Sequence, residues 1–326
     1  MATIPHIRSE LKTWKVWARL IPSSIVACST TQPPSPFYPL AESPPPNHLL
    51  LTASFGRILP YTLLSLFRPT HTLNVHPSAL PAYRGPAPIQ RSILNGERDT
   101  SVCVIEMKRR GGIDAGDVLG RVPVVRVAAS FFLDRRADTQ MFQTIPSGIA
   151  FGPLRDTLAQ EGGELLVSVL RSVLNGTETR TPQSPLAPTT PHAPFITPAD
   201  SQPDFAQETA EQIVRRHLAL AHHKPLTTYL PCATRTVQIH DPAVFPPGAG
   251  DPNTVVRSLP GSAKYHRALR SVVVRCAQGT VLRVPMLKSE FRSLMSASSW
   301  WDGVQRHWKD SEGCIMFTNP PADHGS

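Results

Sequence analysis

An amide, an imidazole and a carboxylate lie close together in one stretch of the sequence, residues 71–119. Asn74 and His76 are two positions apart, and Asp114 follows inside a Gly-Ile-Asp-Ala-Gly segment. Asparagine and histidine side chains donate the hydrogen bonds that stabilise the oxyanion formed when a nucleophile attacks a carbonyl. A carboxylate beside them can accept a proton from an attacking amine, or hold the histidine as an imidazolium by raising its pKa.

These residue types predict direct transfer of an acyl group between two bound substrates. No serine or cysteine occupies a nucleophile-elbow sequence, which argues against an acyl-enzyme. Purely structural explanations stay open on spacing alone, because a His-Pro pair after a strand is commonly a turn and Gly-x-Asp-x-Gly is commonly a loop. The other histidines, including His222 and His223, are predicted to lie on the surface.

The elements around this stretch predict an α/β sheet that carries the three side chains. Short apolar runs bounded by Pro and Gly indicate buried strands, and the strand that contains Asn74 would present it at its carboxyl end, where open α/β sheets bind ligands. The predicted strands are 48–54, 72–75, 101–107 and 122–127, the last at a sheet edge because of Pro123. The predicted helices are 58–66, 89–94 and 154–174, the last closed by Gly176.

A Thr-, Pro- and Ser-rich segment divides the chain into two predicted domains. Residues 208–221 form a predicted helix beyond it, and 271–284 a predicted hairpin, so the second domain is expected to be a small barrel. The predicted divisions are an N-terminal extension (1–46), a catalytic domain (47–176), a linker (177–203) and a barrel-like domain (204–326).

Composition restricts the class of partner. The 326 residues carry a formal charge of +9, which favours a polyanionic partner such as nucleic acid. The five cysteines are odd in number and no pair has the spacing of a zinc site, which argues against a disulfide framework and a zinc site, and a reducing compartment is predicted. No apolar run is long enough to cross a bilayer, so no membrane association is predicted.

The N-terminal 46 residues resemble a mitochondrial presequence. Basic residues recur on an amphipathic pattern, and Glu10 is the only acidic residue before Glu42. An ordinary surface helix, or sequence foreign to the native chain, is the alternative.

The central motifs resemble the formyltransferase family that uses 10-formyltetrahydrofolate. The matching segments are 74–81 (NVHPSALP), 83–90 (YRGPAPIQ) and 112–117 (GIDAGD). The run from Arg84 to Pro88 is similar to the members that act on methionyl-tRNA. The resemblance extends over residues 50–175 and, more loosely, over 190–305.

The resemblance implies a Rossmann-like α/β formyltransferase domain followed by a small OB-like C-terminal β-barrel. Asn74, His76 and Asp114 would be the catalytic residues. The folate co-substrate, 10-formyltetrahydrofolate, would be bound without a metal by Ile58, Leu59, Pro60, Ser78, Ala79, Leu80 and Pro81. The acceptor would be the α-amine of initiator methionyl-tRNA, held partly by the barrel and the linker. The enzyme would be a monomer in the mitochondrial matrix.

Two departures from the family pattern lead to further expectations. Residues 1–46 contain no glycine and no recognisable strand, so the sheet is expected to lack its first strand and the chain to be incomplete. The basic run Lys108–Gly111 is expected to displace Asp114 from His76. The alternative functions are formylation of an amino-sugar nucleotide and an inactive RNA-binding remnant.

Overall fold

The computed structural model describes residues 25–28, 49–54, 59–108, 112–124 and 149–320. The chain forms two compact units, residues 1–195 and 196–326. The predicted division into four segments stays a prediction.

A five-stranded mixed sheet forms the centre of the first unit. Its spatial order is β1-β2-β3-β4-β5. Strands β1 to β3 are parallel, whereas β4 and β5 join antiparallel. Every residue of β4 is buried, as its run of β-branched residues predicts. The strands are β1 (Ile25–Cys28), β2 (Leu49–Ala53), β3 (Thr72–His76), β4 (Thr100–Glu106) and β5 (Val118–Val124).

Strand β1 corrects the expectation that residues 1–46 contribute no strand. Ile25–Cys28 pairs in parallel with β2, with Ile25 opposite Leu49, and forms the edge of the sheet. Four residues are too short a pattern to be recognised as a strand from sequence. The strand forms because it pairs with its neighbour β2.

The opposite edge strand begins earlier than predicted, at Val118. Pro123 lies within it and is exposed, which an edge position permits because no further strand needs its missing N–H. Residues 125–127 of the predicted strand lie outside the described residues.

In the described part of the chain, three α-helices accompany the sheet, namely α1 (Tyr61–Leu64), α2 (Pro88–Leu94) and α3 (Phe151–Asn175). Gly176 ends α3 in the left-handed conformation, with φ 67°. Gly162, in the middle of α3, is buried, and a Cβ built there would lie 2.9 Å from Val75 Cγ1 and 3.0 Å from Val102 Cγ2. The helix therefore approaches β3 and β4 more closely than a residue with a side chain would allow.

The segment after α3 is irregular, as its composition predicts, but hydrogen bonds hold it to the rest of the first unit. Thr181 exchanges two backbone hydrogen bonds of 2.9 Å with Val118 of β5. Farther along, the Ala193 N–H donates to the Arg84 carbonyl at 2.8 Å. These bonds hold residues 181–193 beside the loops that follow β3 and β4.

The second unit is β-rich, with two antiparallel sheets around one core. The sheets have the orders β14-β9-β10-β11-β8 and β13-β12-β7-β6. Their strands are β6 (Leu226–Leu230), β7 (Arg235–His240), β8 (Ala243–Val244), β9 (Ser262–His266), β10 (Ser271–Arg275), β11 (Val281–Val284), β12 (Met286–Ser289), β13 (Met295–Ser296) and β14 (Ile315–Met316). The helices are α4 (Ala210–Leu220), α5 (Pro252–Val255) and α6 (Ala297–Asp302).

The predicted hairpin between residues 271 and 284 is confirmed, with Val272 opposite Val284. The two sheets share a core that includes Val237, Val272 and Leu287. Among the described residues, no helix has the length and apolar character of a membrane span. The described His, Cys, Asp and Glu side chains form no cluster of three that could bind a metal ion.

Candidate active site

Strand β3 places two of the predicted catalytic side chains on one face of the sheet. Asn74 and His76 are separated by one residue, and side chains two apart in a strand point the same way. His76 is 3% exposed, and its Nε2 lies 3.0 Å from the Tyr83 carbonyl oxygen. A carbonyl only accepts, so Nε2 carries a hydrogen and donates it.

The third predicted residue meets both of the others. Asp114 Oδ1 lies 3.5 Å from Asn74 Nδ2, a long hydrogen bond, and Oδ2 lies 3.5 Å from His76 Nδ1. The expected displacement of Asp114 by the preceding basic run is therefore wrong. Lys108, the first residue of that run, forms an ion pair with Asp117 at 2.8 Å, whereas residues 109–111 lie outside the described residues.

The backbone around Asp114 is tightly constrained. Asp114 itself has φ 55°, the left-handed region that non-glycine residues seldom adopt. Two residues later, a Cβ on Gly116 would lie 1.6 Å from the Glu106 carbonyl oxygen, so only glycine fits beside β4. From the other side, the Gly85 N–H donates to Asp114 Oδ2 at 3.0 Å. The carboxylate is thus fixed toward β3.

Thr52 orients the amide of Asn74. Thr52 lies opposite Asn74 in the parallel pair of β2 and β3, and its hydroxyl donates to Asn74 Oδ1 at 2.8 Å. The amide nitrogen must then point toward Asp114, which leaves its second N–H without an acceptor among the described residues. Sequence reasoning missed Thr52, because a threonine inside a buried strand carries no motif.

Burial determines the charge of His76. Burial lowers the pKa of this imidazole, and the nearby Asp114 carboxylate and the Tyr83 carbonyl oppose that effect only in part. Of the two roles left open for Asp114, this direction disfavours the one in which Asp114 holds His76 as an imidazolium. With Nε2–H donating to Tyr83, the neutral ring has its lone pair on Nδ1, facing Asp114.

The residues predicted to bind folate lie in several environments. Leu59 is half-buried against the apolar cluster of Leu50, Leu64 and Phe67, and Pro60 is exposed at the start of α1, whereas Ile58 lies outside the described residues. The remaining four follow His76. Ser78 is buried with its hydroxyl donating to the Ala82 carbonyl at 2.8 Å, Ala79 is half-buried, Leu80 is in the core, and Pro81 is half-buried.

A cavity of about 370 Å³ opens beside Pro81. Strand β5 forms one wall with residues 118–121, and Thr179 with residues 181–184 forms the other. Arg121 crosses toward the Leu80 carbonyl, to which its guanidinium donates. The cavity adjoins the backbone that carries the predicted folate residues 78–81.

Gln183 was also missed, because it lies in a proline-rich segment that predicts only a linker. Its amide nitrogen donates to the carbonyl oxygens of Asp114 (2.8 Å) and Gly116 (2.7 Å). Its amide oxygen accepts from Arg84 Nε (3.0 Å) and Nη2 (2.6 Å). The same side chain therefore contacts the loops on both sides of the Asp114 carboxylate.

Comparison with protein families identifies both parts of the chain. Residues 46–132 match the family described as formyl transferase, and residues 195–305 match the formyl transferase C-terminal domain. The first match spans β2 to β5 with Asn74, His76 and Asp114, and the second spans most of the β-rich unit.

Individual relatives of the chain are named as formyltransferases. The chain is 29% identical over 261 residues to the mitochondrial methionyl-tRNA formyltransferase of Mus musculus, covering 79% of this chain and 60% of the relative. It is 39% identical over 136 residues to the methionyl-tRNA formyltransferase of Macrococcus caseolyticus, covering 42% and 37%. The chain thus spans less than two thirds of the length of these relatives.

The fold also resembles a solved structure, HypX from Aquifex aeolicus in complex with tetrahydrofolic acid. The TM-score is 0.53 at 15% identity, with 84% of this chain and 42% of the other covered. At this identity the likeness concerns the fold.

Proposed function

The chain belongs to the formyl transferase family, and from this premise we propose that it transfers a formyl group from 10-formyltetrahydrofolate to the amino group of initiator methionyl-tRNA. The relatives that are similar to it in sequence are named methionyl-tRNA formyltransferases. The chain spans only 60% of the length of the mouse relative, so the activity of that relative is not carried over on sequence similarity. The proposal is based on the geometry of the site.

One observation carries the proposal: a single carboxylate, Asp114, faces both the Asn74 amide and the His76 imidazole at 3.5 Å. Formyl transfer to an amine needs a donor for the carbonyl oxygen that becomes negative and an acceptor for the proton that the amine loses. The second N–H of Asn74 supplies the donor. The neutral His76 Nδ1, with Asp114 beside it, supplies the acceptor.

The roles follow from which atoms are already occupied. His76 Nε2 is committed to the Tyr83 carbonyl, so the oxyanion is stabilised by Asn74. The amine nitrogen forms a bond to the formyl carbon as the bond from that carbon to N10 of the folate breaks. The proton of the amine passes to the His76–Asp114 pair, which then donates the same proton to N10 as the folate leaves. Asp114 stabilises the imidazolium that forms for the duration of the step.

Three further assignments belong to this proposal. Residues 58–60 and 78–81 contact the folate, in keeping with the tetrahydrofolic acid named for HypX. The basic chain, with a net charge of +9, binds the phosphates of tRNA. We further propose that the protein works in mitochondria, in the matrix; the name of the mouse relative supports the mitochondrial location. Import of the full chain with a fluorescent C-terminal tag into mitochondria tests that location, and a cytosolic signal contradicts it.

The test of the reaction is formylation of methionyl-tRNA in the presence of 10-formyltetrahydrofolate. His76→Ala is expected to lower the rate by about 10²- to 10⁴-fold, the usual contribution of a general base. His223→Ala changes an exposed histidine of the second unit and serves as the matched control. An unchanged rate in His76→Ala contradicts the assigned role. Formylation of an amino-sugar nucleotide without activity on methionyl-tRNA contradicts the substrate.

A further inference from the structure

Asp114 is held by contacts from outside its own loop. Its backbone is left-handed, with φ 55°, a conformation that most non-glycine residues seldom adopt. Gly116 fixes the far end of the loop against β4. The carbonyl oxygens of Asp114 and Gly116 both accept hydrogen bonds from Gln183, in the segment after α3.

The Gln183 amide uses its whole hydrogen-bonding capacity in this place. Both N–H groups go to carbonyl oxygens, and the oxygen accepts twice from the Arg84 guanidinium. The orientation of the amide is unambiguous, because carbonyl oxygens require its nitrogen and a guanidinium requires its oxygen. Gln183 is half-buried, whereas its neighbours Pro182 and Ser184 are exposed.

These contacts close a ring around the carboxylate. Gln183 bonds to Asp114 and to Arg84, and the residue after Arg84, Gly85, donates its N–H to Asp114 Oδ2 at 3.0 Å. The ring is anchored to the sheet, because Thr181 is paired with β5 by two bonds of 2.9 Å. A shift of Gln183 would therefore move the carboxylate relative to the two β3 side chains.

We propose that Gln183 is a positioning residue, which fixes the Asp114 carboxylate against Asn74 and His76 through the hydrogen bonds of its amide. Its effect on turnover rests on the proposed formyl transfer. Its effect on the geometry does not, because the ring exists in the protein alone. The segment after α3 is then a component of the site as well as a connection.

The test replaces the amide without adding charge. Gln183→Met preserves length and removes all four hydrogen bonds, and Gln183→Asn keeps the amide but is too short to reach both carbonyls. Gln160→Met is the matched control, because Gln160 is exposed on α3 of the same unit. Hydrogen exchange in β3 and β4 establishes that each variant is folded.

Two readouts are measured on the full chain. In formylation, Gln183→Met is expected to lower kcat by about ten- to hundred-fold, the effect of a displaced catalytic group, with a much smaller change in KM. In NMR titration of the His76 ring, its pKa is expected to fall in Gln183→Met and, to a smaller extent, in Gln183→Asn. The reason is that a displaced Asp114 no longer raises this pKa.

The outcomes separate the two proposals. A His76 titration identical in wild type and both folded Gln183 variants overturns the positioning role, whatever the activity. The same lowering of the His76 pKa in Gln160→Met also overturns it. A lowered pKa in the Gln183 variants, in a protein whose wild type does not formylate methionyl-tRNA, supports the positioning role and refutes the proposed reaction.

Discussion

Thr52→Val tests whether the orientation of the Asn74 amide matters for turnover. Valine has the shape of threonine, and Thr52 is 5% exposed, so the packing of β2 is preserved. What disappears is the donor at 2.8 Å from Asn74 Oδ1. Without it, the amide oxygen is unpaired, and the preference for pointing the nitrogen toward Asp114 is weaker.

The size of the effect follows from one hydrogen bond. A bond of this kind contributes about 1 kcal/mol net, which corresponds to about a five-fold loss in kcat if the misoriented amide cannot stabilise the oxyanion. Asn74→Ala removes the donor altogether and is expected to cost about 10²- to 10³-fold. In the Asn74→Ala background, Thr52→Val should have no further effect on kcat, because there is no amide left to orient.

The assay is a double-mutant cycle in single-turnover formylation. Thr228→Val is the matched control, since Thr228 is also buried and donates to the Thr318 carbonyl at 2.9 Å, in the second unit. Both threonine variants should lose similar stability, but only Thr52→Val should be coupled to Asn74. An equal loss of kcat from Thr52→Val in both backgrounds would refute the reasoning, since Thr52 would then act by another route.

Three further outcomes are expected. In the unfolded chain the His76 imidazole has a pKa of about 6.5, and in the folded protein its pKa is lower, so the unfolding free energy that this group contributes is fully present above pH 6.5 and falls as the pH drops below it. Denaturation at pH 7.5 and at pH 5.5 should therefore show a smaller loss of unfolding free energy between the two pH values in His76→Gln than in wild type. An equal loss in both proteins contradicts the burial argument. Gly162→Ala gains about 1 kcal/mol of helix propensity but incurs about 1–3 kcal/mol of overpacking against two buried valines. Hydrogen exchange in β3 should therefore rank it below Gly152→Ala, whose new methyl group meets open space, and the reverse order refutes the close packing of α3. Gly116→Ala forces its loop away from the Glu106 carbonyl and should lower the free energy of unfolding by about 3 kcal/mol and remove most of the activity. A variant that is as stable as wild type would contradict the close contact between Gly116 and Glu106.

Strongly patterned elements of the fold could be predicted from the sequence. Strands β3 and β4 have short apolar runs with β-branched residues, and α3 has a long stripe closed by Gly176, so local preference and tertiary burial agree. Strand β1 could not be predicted, because its four residues are ordered by pairing with β2. The start of β5 was missed for a similar reason, since Val118 pairs across the sheet with Ile105.

In the candidate site, too, some residues could be predicted from the sequence and others could not. Asn74, His76 and Asp114 were accessible because their spacing and flanking glycine and proline residues form recognisable segments. Their meeting at 3.5 Å is a property of the fold. Thr52 and Gln183 have no local pattern, since each matters only through a partner distant in sequence. The sequence left the protonation of His76 open between the neutral and the charged ring, because burial is invisible in a list of nearby charges.

The hydrogen bonds of Gln183 also determine when this site can be completed as the chain folds. Gln183 is 69 residues beyond Asp114 and 99 residues beyond Arg84. During synthesis, β2, β3 and β4 emerge before residue 183 does, so they can pair while the Asp114 loop still lacks its outer partner. Closing contacts across such long stretches of chain is entropically costly and therefore late. The geometry of the candidate site is thus expected to be among the last features of the first unit to form and, by the same connection, among the first to be lost on unfolding.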